Sequence, residues 1–142
     1  MTLSPKLPHW LWLFPIVYFL HIIEEIYGVG HGINLSLNVF LILSAAAWLL
    51  MTCGVVLAQR FGFPHFMGVC LGSTVFLNGL SHMFISLTNR GYDAGLISGS
   101  VIFIPLGLAT LISLRNSMRR QRYIVGVVVG MVIQTIAILL AV

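Results

Sequence analysis

Five long apolar segments constrain this chain more than any other feature of its sequence. Each has roughly the 20 residues that an α-helix needs to cross the hydrocarbon core of a bilayer. Because a backbone in lipid must satisfy its own polar groups, the pattern predicts an all-α fold, a polytopic transmembrane bundle of about five helices in a single domain over residues 1–142. The predicted helices cover approximately residues 9–28, 35–59, 63–88, 94–114 and 123–142.

Composition and charge support a membrane protein and argue against a nucleic-acid partner. Of the 142 residues, 59% are hydrophobic and only 7% are charged, a balance that does not suit a soluble domain of this size. The formal net charge is +4, but the cations lie between the apolar segments and form no stripe that would follow a phosphate backbone. We therefore expect the lipid bilayer, and no nucleic acid, as the partner.

The cations also predict the orientation, because cytoplasmic loops collect Lys and Arg. With the N-terminus in the cytoplasm, only Arg90 lies outside, and the C-terminus is outside as well. The cytoplasmic cations are then Lys6, Arg60, Arg115, Arg119, Arg120 and Arg122.

Three Gly-xxx-Gly spacings allow helix backbones to approach closely. They occur at Gly68/Gly72, Gly95/Gly99 and Gly126/Gly130. We favour packing within the bundle, with a homo-oligomer as the alternative.

Ionisable side chains inside the spans point to a functional site, since each costs free energy in lipid unless it is paired, bound or hydrated. The first segment carries His21, Glu24 and Glu25, and the third carries Asn78 and His82. At 100° per residue, His21 and Glu25 are roughly 40° apart and Glu24 lies roughly 60° to the other side, so all three share one face. A rise of about 1.5 Å per residue places both polar faces at a similar level in the outer leaflet.

Imidazole and carboxylate groups are ligands of Zn, Fe and Mn, so the cluster predicts a divalent metal, with zinc first and Fe or Mn as alternatives. His21, Glu25 and His82 are the predicted ligands. His31, in the first outer loop, is a further candidate ligand, with a solvated turn as the alternative. Glu24 is predicted as a bridging ligand to a second metal or as a general base. Asn78, one turn from His82, is predicted to orient that histidine or to hold the substrate.

The sequence resembles a known family in three places, namely His21-Ile-Ile-Glu24-Glu25, the later His82, and the run Gly-Tyr-Asp-Ala-Gly at 91–95. The resemblance is to the HXXEE-domain family of small bacterial integral membrane proteins, which pairs this motif with a further histidine and a Tyr-x-Pro-Gly motif. Ala94 stands where the family has proline. The resemblance implies the bacterial inner (cytoplasmic) membrane and a proton-donor role for Tyr92, whose alternative is the aromatic belt. It implies no particular reaction.

The leading hypothesis for function is a membrane-embedded metal-dependent enzyme that acts on a lipid or another hydrophobic molecule at the outer leaflet. A hydrolase comes first, because a metal-bound water and a Glu base need no redox partner. A di-iron oxidoreductase comes second, although such a site usually needs more His and Glu ligands than these helices supply. The alternatives are a metal-free acid–base isomerase or cyclase, a proton-coupled transporter or channel, and a haem held between His21 and His82.

Overall fold

The computed structural model describes residues 9–28 and 35–141, and these form five helices without a strand. All five are long and apolar enough to cross a membrane, which confirms the prediction of an all-α bundle with five transmembrane helices. Helix α1 consists of a 3-10 turn at His9–Trp12 followed by an α-helix at Leu13–Gly28; α2 is Leu37–Phe61, α3 is Pro64–Asn89, α4 is Leu96–Leu114 and α5 is Arg120–Ala141.

The ends of the helices follow from local backbone chemistry. Gly62 ends α2 in the left-handed conformation, with φ of 75°, and its N–H bonds to the carbonyl of Ala58. Pro64 then begins α3, where a residue without an N–H costs nothing. Helix α5 begins at Arg120 and not at Tyr123, because its first turn is polar and a hydropathy pattern does not detect it.

Helix α3 is the most buried of the five and packs against α4 and α5 through glycines. A Cβ atom on Gly79 would lie 2.5 Å from the carbonyl oxygen of Gly99 in α4. One on Gly130 of α5 would lie 2.4 Å from the carbonyl oxygen of Cys70. Residues in all three predicted Gly-xxx-Gly spacings contact atoms of this same chain, so the spacings serve packing within the bundle.

Helix α4 contains a π-helical turn at Gly99–Phe103, which ends two residues before Pro105. Proline lacks the N–H that would continue the α-helical ladder, and a π-turn is one way in which a helix accommodates such an interruption. Two side chains at this turn contact His21 of α1. One is that of Ser98, which directly precedes the turn, and the other is that of Phe103, the last residue of the turn.

An apolar core fills the bundle between the π-turn and the start of α1. Phe14 of α1, Val55 of α2, Val75 of α3 and Phe103 of α4 are all buried to 1% exposure or less. By contrast, many apolar side chains of α2 and α5 are exposed, among them Leu50 at 74% and Leu139 at 73%. Such exposed apolar faces suit helices that border lipid.

Charge is separated between the two ends of the bundle. The three acidic residues of the chain, Glu24, Glu25 and Asp93, all lie where α1 and α3 end and α4 begins, which we call the site end. The opposite end, which we call the arginine end, carries the α2–α3 turn and the α4–α5 loop. Its cations are Arg60, Arg115, Arg119, Arg120 and Arg122. Lys6 lies outside the described residues.

Candidate metal centre

Three side chains from α1 and α3 meet at the site end. His21 Nε2 lies 3.5 Å from Glu25 Oε1, and His82 Nε2 lies 3.6 Å from the same oxygen. One ligand atom from each residue lies within 4.8 Å of the other two. The side chain of His21 is fully buried, whereas those of His82 and Glu25 are 12% and 15% exposed. The structure therefore brings together the three residues that the sequence predicts as ligands, and His82 and Glu25 keep a small exposed fraction.

A serine from α4 determines which ring nitrogen of His21 carries the proton. Ser98 Oγ donates its single proton to Glu24 Oε2 at 2.5 Å, so it can only accept at its contact of 2.6 Å with His21 Nδ1. In neutral His21 the proton therefore lies on Nδ1, and Nε2 presents a lone pair towards Glu25. Ser98 could not be identified from the sequence, because a serine in an apolar helix gives no distinguishing signal.

Asp93 determines the protonated nitrogen of His82 in the same way. Its Oδ2 lies 2.5 Å from His82 Nδ1, and a carboxylate accepts, so Nδ1 carries the proton and Nε2 presents a lone pair. Carboxylate groups commonly orient metal-binding histidines through this contact. From the sequence, Asn78 is predicted to orient His82 or to hold the substrate. The structure assigns the orienting role to Asp93, and the buried Oδ1 of Asn78 has no hydrogen-bond partner among the described residues.

The resulting arrangement aims three acceptors at one another, namely two imidazole lone pairs and a carboxylate oxygen. Among the described residues, His21 Nε2 is buried without a hydrogen-bond partner. Ligands at about 2.0–2.1 Å from a tetrahedral ion would be ~3.3 Å from each other. The two measured separations, 3.5 and 3.6 Å, exceed this by little. The residues present therefore fit a divalent cation in chemistry, and the two separations to Glu25 Oε1 fit it in spacing.

Glu24 holds the start of α4 against α1. Its carboxylate accepts from the Tyr92 hydroxyl at 2.6 Å, from the backbone N–H groups of Ile97 and Ser98 at 2.9 and 2.8 Å, and from Ser98 Oγ. A carboxylate has about four lone-pair positions, so these four donors use its capacity. Glu24 is also absent from the group of three ligands. The geometry therefore indicates a positioning role for Glu24 in this structure, and its bridging or general-base role stays a prediction.

Tyr92 belongs to the same clamp. Its side chain is 61% exposed, and its hydroxyl points to Glu24 rather than to the three ligands. The hydrogen bond to the Glu24 carboxylate is the largest of the effects that raise the pKa of Tyr92 to about 12. The phenol therefore stays a hydrogen-bond donor to Glu24 at neutral pH, and its role as a proton donor in a reaction stays a prediction.

Gly95, at the end of the loop between α3 and α4, packs against the two histidine rings. Its φ of 99° is in the left-handed region, and a Cβ atom there would lie 2.6 Å from Cε1 of His82 and 2.7 Å from Cε1 of His21. Only glycine meets both conditions. This glycine ends the 91–95 run, so the motif serves to place the loop over the site. His31, the remaining candidate ligand, lies outside the described residues.

Fold and site together define a multi-pass helical membrane protein with a buried His/Glu cluster at one end. The family of proteins of unknown function with an HXXEE motif matches residues 12–110, and the chain belongs to that family. The motif residues are His21, Glu24 and Glu25, and the structure separates their roles into two ligand candidates and one clamp. Comparisons with curated proteins and with solved structures found no match.

Proposed function

We propose that this protein is a membrane-embedded, metal-dependent enzyme whose divalent ion is held by His21, Glu25 and His82. The observation that carries the proposal is the orientation of the two imidazoles. Ser98 and Asp93 occupy both Nδ1 atoms, so both Nε2 lone pairs face the same carboxylate oxygen. Three acceptors in one place repel each other unless a metal ion or a proton lies between them, and a metal ion satisfies all three at once.

The arrangement favours one ion over a pair. A carboxylate-bridged pair needs further carboxylates or histidines, and Glu24 already accepts four hydrogen bonds. Two histidines and one carboxylate are the ligand set of catalytic sites that keep a coordination position open for water or substrate. A metal in such a site supplies a Lewis acid and lowers the pKa of a bound water.

We place a hydrolase first and a mononuclear iron oxidoreductase second. Zinc with two histidines and a glutamate suits hydrolysis, and the same three ligands also suit non-haem Fe(II). Zinc ranks first because hydrolysis requires no redox partner. His21 and His82 would hold the ion in either case, and their rings are fixed by Ser98 and Asp93.

The substrate that fits this position is a lipid or another hydrophobic molecule. Glu25 and His82 are the partly exposed ligands, and they lie on two apolar helices. Ile26, Met83 and Phe84, which follow these ligands in the chain, are exposed at 37%, 36% and 68%. A molecule that approaches the site from the side therefore crosses an apolar surface. In the predicted orientation this surface borders the outer leaflet.

Transport and haem binding are the two alternative functions that suit the geometry less well. Tyr18 and Phe103 stack beneath His21, and the apolar core continues below them among the described residues, which argues against a polar path for transport. The rings of His21 and His82 are 4.9 Å apart in an edge contact, and a haem macrocycle does not fit between rings this close. A metal-free acid–base enzyme remains the main competitor.

Elemental analysis tests the proposal. The protein is purified without a chelator and without a histidine tag, and the metal content is measured for the parent and for His21→Ala and His82→Ala. His9→Ala is the matched control, because His9 is exposed and lies at the other end of α1. We expect about one equivalent of metal in the parent and control and loss in both site variants. A metal-free parent that cannot be loaded with Zn²⁺, Fe²⁺ or Mn²⁺ would overturn the proposal.

A further inference from the structure

The arginine end has no acidic partner within the described part of the chain. Its five arginines, at positions 60, 115, 119, 120 and 122, are all exposed. Every ion pair among the described residues joins a histidine to a carboxylate at the site end. Because all three acidic residues lie at that end, the charge of the arginines must be balanced by something other than this chain.

A small polar cavity lies at this end, with Arg122 as the one of the five arginines that lines it. It has a volume of about 80 Å³ and lies between the α2–α3 turn and the α4–α5 loop. His65, Ser117 and Arg122 contribute polar side chains to its wall. A cavity of about 10–15 Å³ on this measure holds one water molecule, so this one has room for a group the size of a phosphate.

Arg122 is held in place at the edge of this cavity. Its guanidinium group lies over the ring of Phe66, with Cζ 5.7 Å from the ring centroid. Stacking on an aromatic face leaves the N–H groups at the edge of the guanidinium plane free to donate to an anion. Arg120, in the same turn of α5, does not line the cavity.

We propose that this cavity binds the phosphate of an anionic lipid headgroup, with Arg122 as the main donor and His65 and Ser117 as further polar contacts. The cavity lies at the ends of four transmembrane helices, which is the depth of the headgroups of the surrounding bilayer. A lipid is therefore the phosphate source present at this position. The surrounding arginines favour an anionic lipid over a zwitterionic one. This inference does not depend on the metal centre.

Native mass spectrometry of the full chain in detergent tests the inference. Chain-matched phosphatidylglycerol and phosphatidylcholine are added in equal amounts, and the bound lipid is counted for the parent, Arg122→Gln and Arg120→Gln. We expect the parent to retain phosphatidylglycerol in preference to phosphatidylcholine. Arg122→Gln should weaken that binding on the order of fivefold, the effect of one cation at an anionic surface, and Arg120→Gln should weaken it clearly less.

A second variant tests the role of the aromatic ring. Phe66→Leu keeps all charges but removes the surface on which Arg122 lies, so it should also reduce the preference for phosphatidylglycerol. Equal retention of both lipids by the parent would overturn the proposal, and so would equal losses in the two arginine variants. Inorganic phosphate that binds the parent while phosphatidylglycerol does not would overturn the lipid assignment. Helical content measured by circular dichroism verifies that each variant is folded.

Discussion

Removal of the Asp93 carboxylate should weaken metal binding although Asp93 is not one of the three ligands. Its Oδ2 lies 2.5 Å from His82 Nδ1, and both side chains are little exposed, at 15% and 12%, so solvent screens the contact weakly. Partners of this kind typically contribute about 10–100-fold to metal affinity, which corresponds to about 1.4–2.8 kcal/mol. Asp93→Asn keeps an acceptor but loses the charge, so we expect the lower value. Asp93→Ala loses both and should approach the upper one.

The assay is a competition titration of Zn²⁺ between the protein in detergent and a chromophoric chelator. Asn78→Ala is the control, because Asn78 lies one turn from His82 but makes no hydrogen bond through its Oδ1 among the described residues. We expect this variant to bind zinc as the parent does. An Asp93→Ala protein with intact helical content and unchanged zinc affinity would refute the reasoning, and so would a larger loss in Asn78→Ala.

Three further predictions concern the loop, the floor of the site and the clamp. Gly95→Ala places a methyl group 2.6 and 2.7 Å from two imidazole carbons at a φ of 99°. We expect it to lower the free energy of unfolding by about 1–3 kcal/mol and to cause loss of metal while the helical content is kept. A variant that binds a full equivalent of metal would contradict this. Phe103→Ala removes a fully buried ring and should lower the free energy of unfolding by about 3–5 kcal/mol, measured by denaturation in micelles, whereas the exposed Leu139→Ala should have little effect. Tyr92 should ionise near pH 12 in an ultraviolet titration, with Tyr92→Phe as the reference, because its pKa is raised from the usual 10.0 to about 12. Its contribution to stability is then complete below pH 10 and is lost as the pH rises through 12, and ionisation near pH 10 would contradict the observed hydrogen bond.

The sequence was sufficient to predict the five helices and the convergence of His21, Glu25 and His82. Helices in lipid have a narrow range of lengths, and ionisable residues there are rare enough to be informative. Helical periodicity then places His21 and Glu25 on one face. The structure adds that His82 of α3 reaches the same oxygen of Glu25 from a helix that is not adjacent in sequence.

The roles of the surrounding residues could not be predicted from spacing. Glu24 and Glu25 are adjacent in the chain, but they are separated by about 100° around the helix. Glu24 therefore accepts hydrogen bonds from α4, whereas Glu25 lies against the histidines. The positions of Ser98 and Asp93 next to the histidines depend on how α4 begins. The start of α4 in turn depends on the positive φ of Gly95. Asp93 was visible as the third acidic residue of the chain, but nothing in the sequence showed that its loop folds back over the site.

The separation of charge gives the molecule an electric dipole along its helices. In the predicted orientation, the five guanidinium groups face the cytoplasm, which is the negative side of an energised membrane. Moving one elementary charge through 100 mV changes its free energy by about 2.3 kcal/mol. Inverting the bundle against such a voltage would therefore cost about 12 kcal/mol for these five charges alone, so the resting potential helps to keep the chain in a single topology.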